Sequence, residues 1–232
     1  MFANRGQTIL EPVPHRRRPG DPTTLEGLAG LARPTAASRT RLLPVPDPLI
    51  PLLPDGGLRR GSVACCRGHG SASLALALIG AASAAGSWCG VVGLDDVGAL
   101  AATGYGVDLR RLAVVRAPVA QWAVATGRLL DGMDLVVVRP PDRPRSSAVR
   151  PLVARARDRR SVLVVVADRS GWPEPADVVL QVTAARWRGL DCGAGRLQAR
   201  RATVEATGRG AATRPVRREL WLPSASGQVV GA

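Results

Sequence analysis

Lysine is missing from this 232-residue chain; all 32 basic residues are arginine. That excludes every mechanism needing a lysine: a Schiff base, a Ser–Lys dyad, and the lysine of a phosphate-binding P-loop. Histidine is nearly absent too. His15 and His69 leave little from which to build an imidazole metal site or a catalytic triad. The four cysteines, Cys65, Cys66, Cys89 and Cys192, make no C-x-x-C pair. Three lie in apolar, strand-like runs, so buried reduced thiols are expected rather than a disulfide framework or a zinc site. Aromatic residues amount to one Phe, one Tyr and five Trp, so Val, Leu and Ala must fill the core. The longest weakly polar stretch, Ala72 to Val92, is broken by Gly80, Gly86 and Gly90. It reads as a buried helix followed by a buried strand rather than a membrane span. The N-terminus has no long apolar stretch of the secretory kind. A soluble cytoplasmic protein with no membrane contact is expected.

Acidic residues are also scarce, 18 against 32 basic, for a formal charge of +14 and a sequence pI near 11.5. Such a surface attracts nucleic acid, acidic protein faces or anionic lipid, and charge alone does not choose among them.

Residues 1–50 are rich in Pro and Arg and read as an arm or linker, with one short helix expected over Thr23–Ala32, capped by Thr24. From there the pattern becomes regular. Short Val-rich runs at Ser62–Cys66, Cys89–Gly93, Leu112–Arg116, Asp134–Val138 and Val162–Ala167 alternate with helical stretches. The helices are predicted over Ser73–Ala85, Asp95–Thr103, Ala120–Leu130 and Ser146–Arg160. Strands apolar on both faces, alternating with helices of about ten residues or more, indicate βαβ units around a parallel sheet. After Pro175 the helices stop. Val178–Thr183, Arg196–Ala206 and Val216–Leu222 read as strands of an antiparallel extension with one wet face. The tail after Pro223 is expected to be disordered. The organisation is thus an arm (1–50), an α/β core (51–210), and a C-terminal strand with a flexible tail (211–232).

The most informative segment is the turn after the first core strand, Cys65-Cys66-Arg67-Gly68-His69-Gly70-Ser71-Ala72-Ser73. It has the strand–turn–helix layout of a P-loop, in which glycines curl backbone N–H groups around phosphates, Lys reaches the β- and γ-phosphates, and Ser or Thr holds Mg²⁺. DGGLRRGSV (Asp55–Val63), this turn, SLALAL (Ser73–Leu78), GVDL (Gly106–Leu109) and DLVVV (Asp134–Val138) together resemble the RecA ATPase core, in order and at similar spacing. Within that superfamily DGGLRRG, GSWC (Gly86–Cys89), VEATGRG (Val204–Gly210) and LWLP (Leu220–Pro223) resemble the actinobacterial ImuA-type proteins of the mutagenic translesion-synthesis cassette. The resemblance implies a RecA-like core: a mainly parallel sheet flanked by helices, with an antiparallel C-terminal extension and a Pro/Arg-rich N-terminal arm.

Carried across residue by residue, the resemblance describes a degenerate ATPase. The first P-loop glycine falls on Cys65, the second on Gly70, the lysine on Ser71 and the Mg²⁺-binding hydroxyl on Ala72. The Walker B aspartate falls on Arg139, and the glutamate that would activate water on Leu94, with Asp95 and Asp96 out of register. An arginine beside the metal position repels Mg²⁺, and no residue is in register to orient water. Gly68 and Gly70 are then expected to serve a tight strand-to-helix turn, which needs φ > 0 without any ligand. No catalytic residue, metal or cofactor is expected.

Other constellations read more plainly. His69 beside Ser71 and Ser73 has no carboxylate to orient its ring. Asp95 and Asp96 are expected in the first turn of a helix, serving its dipole. Two basic groups remain as candidate partner or nucleic-acid contacts: Arg155, Arg159 and Arg160 on one helix, and Arg214, Arg217 and Arg218 with Trp221 near the C-terminus. The resemblance implies a non-catalytic adaptor in SOS-induced mutagenic translesion synthesis. Its partners would be an ImuB-type Y-family-like protein, a DnaE-type error-prone polymerase and RecA, with DNA contact through the Arg clusters and self-association through the arm. The alternatives are a SulA-type damage-induced inhibitor of cell division and a nucleic-acid-dependent ATPase.

Overall fold

The computed structural model describes residues 41–167, 171–191, 194–209 and 214–232, the side chains of residues 191 and 194 excepted. The helix expected over Thr23–Ala32, His15 and Cys192 lie outside the described residues.

Five short apolar strands build the centre of the molecule: β3 (Val63–Arg67), β4 (Cys89–Val92), β5 (Leu112–Val115), β6 (Leu135–Val138) and β7 (Val162–Ala167). β4, β6 and β7 are buried at every position, which is why their sequences are runs of Val rather than alternations. Helices α1 (Ser71–Ala84), α2 (Ala99–Gly104), α3 (Trp122–Leu130) and α4 (Ser146–Arg159) connect them. β8 (Val178–Asp191), β9 (Ala194–Gly208), β10 (Val216–Trp221) and β11 (Val230–Gly231) complete one nine-stranded sheet in the order β11-β10-β9-β8-β3-β7-β6-β4-β5. The run from β8 to β5 is parallel, and β8 to β11 is antiparallel.

Two hydrophobic layers flank the sheet. On one face α1, apolar on nearly all sides, packs against β3, β7 and the inner faces of β8–β10. On the other, α3 and α4 cover β3, β6 and β7 through residues such as Leu129, Leu130, Val149 and Leu152. Two carboxylates, Asp134 buried and Asp177 half-buried, pin strand starts. Asp134 accepts from Arg60 Nη1 (2.8 Å) and from the Trp88 amide (2.9 Å), tying β6 to β4 and to the turn before β3. Asp177 accepts from the Val63 amide (2.8 Å).

Three segments differ from the expectation. The end of the arm is not a free linker: Leu43, Val45 and Leu49 are buried in the α1-side core, and β1 (Leu42–Leu43) pairs with β2 (Leu58–Arg59). The stretch Leu49-Ile50-Pro51-Leu52-Leu53 supplies enough apolar surface to dock, despite its prolines. Asp95 and Asp96 are not in a helical first turn, because α2 begins only at Ala99 and has no acid there. The tail after Pro223 is structured: Val229 is buried and Val230–Gly231 pair with β10 as an edge strand.

Candidate functional site

Gly68 and Gly70 make the turn from β3 into α1 with φ of +83° and +96°, in the left-handed region that disfavours a side chain. The turn closes through the Ser71 amide on the Gly68 carbonyl (3.1 Å), and Leu74 N–H bonds the Gly70 carbonyl (3.0 Å). Around it Cys65 and Ser71 are buried, Ala72 is half-buried and His69 is exposed. His69 has no shielding that would make it a nucleophile's partner.

Arg200 dominates this turn. It lies on β9, and its guanidinium packs directly over the left-handed N-cap, so that a Cβ on Gly70 would fall on it. Only 7% of Arg200 is exposed. Its Nε donates to the Leu222 carbonyl (2.6 Å), its plane sits over the Trp187 ring (5.4 Å to the centroid), and its buried Nη2 has no hydrogen-bond partner. No carboxylate pairs with Arg200 among the described residues. Burial lowers its pKa, and the neighbouring Tyr105 works against that shift. Burial in turn raises the Tyr105 pKa, opposed by Ser73 and Arg200. The Tyr105 hydroxyl is likewise buried without a geometrically acceptable hydrogen bond. A guanidinium and the positive end of a 14-residue helix therefore share one desolvated spot.

Arg139, on which the resemblance placed the Walker B carboxylate, lies just past β6 with its amide on the Val92 carbonyl (3.0 Å). Its Nη1 pairs with Asp96 (3.0 Å), so the acid expected to serve a helix dipole instead meets this arginine. Leu94, on which the resemblance placed the water-activating glutamate, is buried in the core. Among the described residues no group of three or more His, Cys, Asp or Glu side chains is arranged to hold a metal.

The basic candidates separate. Arg155 and Arg159 both pair with Asp131 at the end of α3 (3.4 and 3.1 Å), which partly neutralises that patch, while Arg160 caps α4 in the left-handed conformation. Arg214 is exposed. Strand alternation puts Arg217, Glu219 and Trp221 on the outward face of β10 and Arg218 on the face shared with buried Leu220. Arg188 stacks on Trp221 (4.9 Å), and Arg201 pairs with Glu219 on that same outward face. Sequence reasoning did not single out Arg200. The signal was the register Trp187↔Arg200, set by a bulge between Val182 and Ala184 that single-sequence patterning does not reveal.

Cys65, Cys66 and Cys89 are buried reduced thiols, as expected. No helix among the described residues is long and apolar enough to cross a membrane.

Comparison with known proteins gives three findings. Residues 51–174 match the family described as MT3502 N-terminal domain. The chain is 42% identical over 100 residues to the uncharacterized protein Rv3395c of Mycobacterium tuberculosis, covering 41% of this chain and 48% of that protein, so the match spans about half the relative's length. Among solved structures, the RadB recombinase superposes with a TM-score of 0.56 at 13% identity, covering 80% of this chain and 96% of that one. That likeness establishes the RecA-like fold.

Proposed function

The chain belongs to the MT3502 N-terminal domain family, and from that premise we propose that it is a non-catalytic RecA-like adaptor in SOS-induced mutagenic translesion DNA synthesis. In this reading it bridges an ImuB-type protein and a DnaE-type polymerase, with RecA as a further partner. The observation that carries the non-catalytic half is Arg200 seated over Gly70. ATP hydrolysis needs a cradle for the phosphates, a placed Mg²⁺ and an oriented water. Here a protein cation fills the approach to the turn, an Arg139–Asp96 pair stands at the metal position, and apolar Leu94 faces the core where the water-activating acid would be. Those features favour a fold that holds partners over one that turns over nucleotide. The order β3-α1-β4-α2 persists because α1 and its turn still organise the core.

Two measurements test the reading separately. Steady-state phosphate release from Mg-ATP, with and without single-stranded DNA, is expected at the protein-free rate; sustained turnover refutes the non-catalytic half. A tagged full chain from damage-induced cells is expected to retain the ImuB-type protein and the DnaE-type polymerase. Recovery of a tubulin-like division protein in their place would move the assignment to the SulA type.

A further inference from the structure

A groove of about 610 Å³ opens beside the turn, between α1, α2 and the β8–β9 hairpin. Its walls are mostly apolar: Leu76, Val97, Leu100, Trp187 and Pro223. Leu100 is 87% exposed at the rim, where a leucine gains nothing from folding. The remaining polar lining is concentrated at one end, where Ser73 and Tyr105 meet. Tyr105 is 6% exposed and its hydroxyl lacks a partner. Directly behind lies Arg200, stacked on the groove residue Trp187, with a buried nitrogen also unpartnered and no acid beside it. Asp96, the acid on the groove lining, is already engaged by Arg139.

A buried cation next to a helix N-terminus, with two polar atoms lacking hydrogen bonds, is an electrostatic hole of positive sign. An apolar trough leading to such a hole fits a ligand that is apolar along its length and anionic at one point. The volume suits two or three side chains rather than a folded surface. The geometry points to a peptide-docking groove: it takes an apolar segment of a partner protein whose Asp or Glu carboxylate accepts from the Tyr105 hydroxyl, in the field of the Arg200 charge behind it. This deepens the adaptor reading and rests on it, because it names the kind of segment such a partner presents. Charge complementarity argues for this occupant. The chain carries +14, and behind the groove residue Trp187 lies Arg200, an arginine without a carboxylate partner among the described residues.

The test uses the full chain, ¹⁵N-labelled, and two probes: N-acetyl-Leu-Leu-Asp-Leu-amide and the same peptide with Asn in place of Asp. The Trp187 indole resonance, assigned with Trp187→Phe, reports occupancy. The Asp peptide is expected to shift it in the micromolar-to-millimolar range, and the Asn peptide to bind about tenfold more weakly or worse, the size of a lost charged hydrogen bond. Two variants separate docking from structure. Tyr105→Phe removes a hydroxyl without a geometrically acceptable hydrogen bond in the protein, so stability is expected to hold or rise while Asp-peptide affinity drops severalfold. Leu100→Asp changes a side chain that is 87% exposed and is expected to abolish binding without unfolding the protein. Equal binding of the two peptides, no shift by the Asp peptide at millimolar concentration, or unchanged affinity in Tyr105→Phe each overturns the proposal. Displacement of the bound peptide by Mg-ATP at low concentration also overturns it, since the site would then be a nucleotide site. The proposal's failure leaves the phosphate-release and pull-down outcomes untouched, so the two readings fail independently.

Discussion

Gly70→Ala isolates the contact that distinguishes this turn from a phosphate loop. Two costs follow from the geometry. A φ of +96° forces alanine into the left-handed region, at about 1–2 kcal/mol. The new methyl also lands on the Arg200 guanidinium, which must move. Moving it breaks the Nε bond to the Leu222 carbonyl (2.6 Å), a buried charged hydrogen bond worth about 1.5–3 kcal/mol. The single variant is therefore expected to lose about 2.5–5 kcal/mol, a large share of a typical domain's stability. Arg200→Ala leaves space for the methyl. In that background Gly70→Ala is expected to cost only the backbone part, about 1–2 kcal/mol. The cycle of four proteins, measured by urea unfolding, should thus show a coupling of about 1.5–3 kcal/mol between residues 130 positions apart in sequence. Additive effects, within about 0.5 kcal/mol, would show that Arg200 does not occupy the turn in solution. In that case the loop is open, and the argument against nucleotide binding loses its main support.

The Arg60–Asp134 pair, with side chains 6% and 8% exposed, supplies a second cycle. Asp134→Ala removes the buried carboxylate paired with Arg60 and is expected to cost about 3–5 kcal/mol in urea unfolding. Arg60→Met with Asp134→Leu removes both charges and should recover most of that, leaving about 1–3 kcal/mol for the Trp88 amide that loses its acceptor. Burial pushes the Cys89 thiol up to about 12 from an ordinary 9, so the folded state holds its proton more tightly than the unfolded chain. That stability is complete below pH 9 and declines as pH rises from 9 toward 12. Cys89→Ala should flatten the alkaline limb of a stability–pH curve, and an unchanged limb would refute the assignment. If DNA contacts the outward face of β8–β10, Arg186→Ala with Arg217→Ala should lower the log–log salt slope for a single strand by about 1.4, two phosphates at about 0.7 each. A slope unchanged by the pair removes that face from consideration.

The central sheet was legible because its physics is local. Runs such as Val162–Ala167 are apolar on every position, and only a strand buried on both faces needs that pattern. The missing lysine and the arginine at position 139 were equally plain, since they are facts of composition and register. Three things were hidden because they depend on contacts distant in sequence. Asp95 and Asp96 looked like the first turn of a helix, yet the attraction between Asp96 and Arg139 spans 43 residues, and the chain stays non-helical until Ala99. Leu43 to Ile50 looked like part of a linker because prolines punctuate it, but Leu43, Val45 and Leu49 are buried in the α1-side core. Trp187 and Arg200 carried no motif that singled them out, and only the pairing of β8 with β9 brings them together.

That third case shows how loss and gain are linked in this fold. A P-loop lysine is held on the helix and points its ammonium into the loop. Here the guanidinium over the N-cap comes from β9, three strand positions from the hairpin's inner bulge partner Thr203. The register that delivers Arg200 to Gly70 also turns Arg188 and Arg201 to the opposite face, beside Trp221. One hairpin thereby carries an Arg–Trp stack on each side, buried over the turn and open on the outward face. A one-residue slip of β8 against β9 would turn Trp187 to the outward face and strip Arg200 of its ring partner. The bulge at Val182–Ala184 is consequently the element that sets Trp187 opposite Arg200. Deleting Thr183 takes out the extra residue and keeps Ala184 opposite Thr203 and Trp187 opposite Arg200, so the Gly70–Arg200 coupling is expected to survive in that background; its loss in the four-protein urea cycle would show that the bulge itself, and not the register, seats Arg200 over the turn.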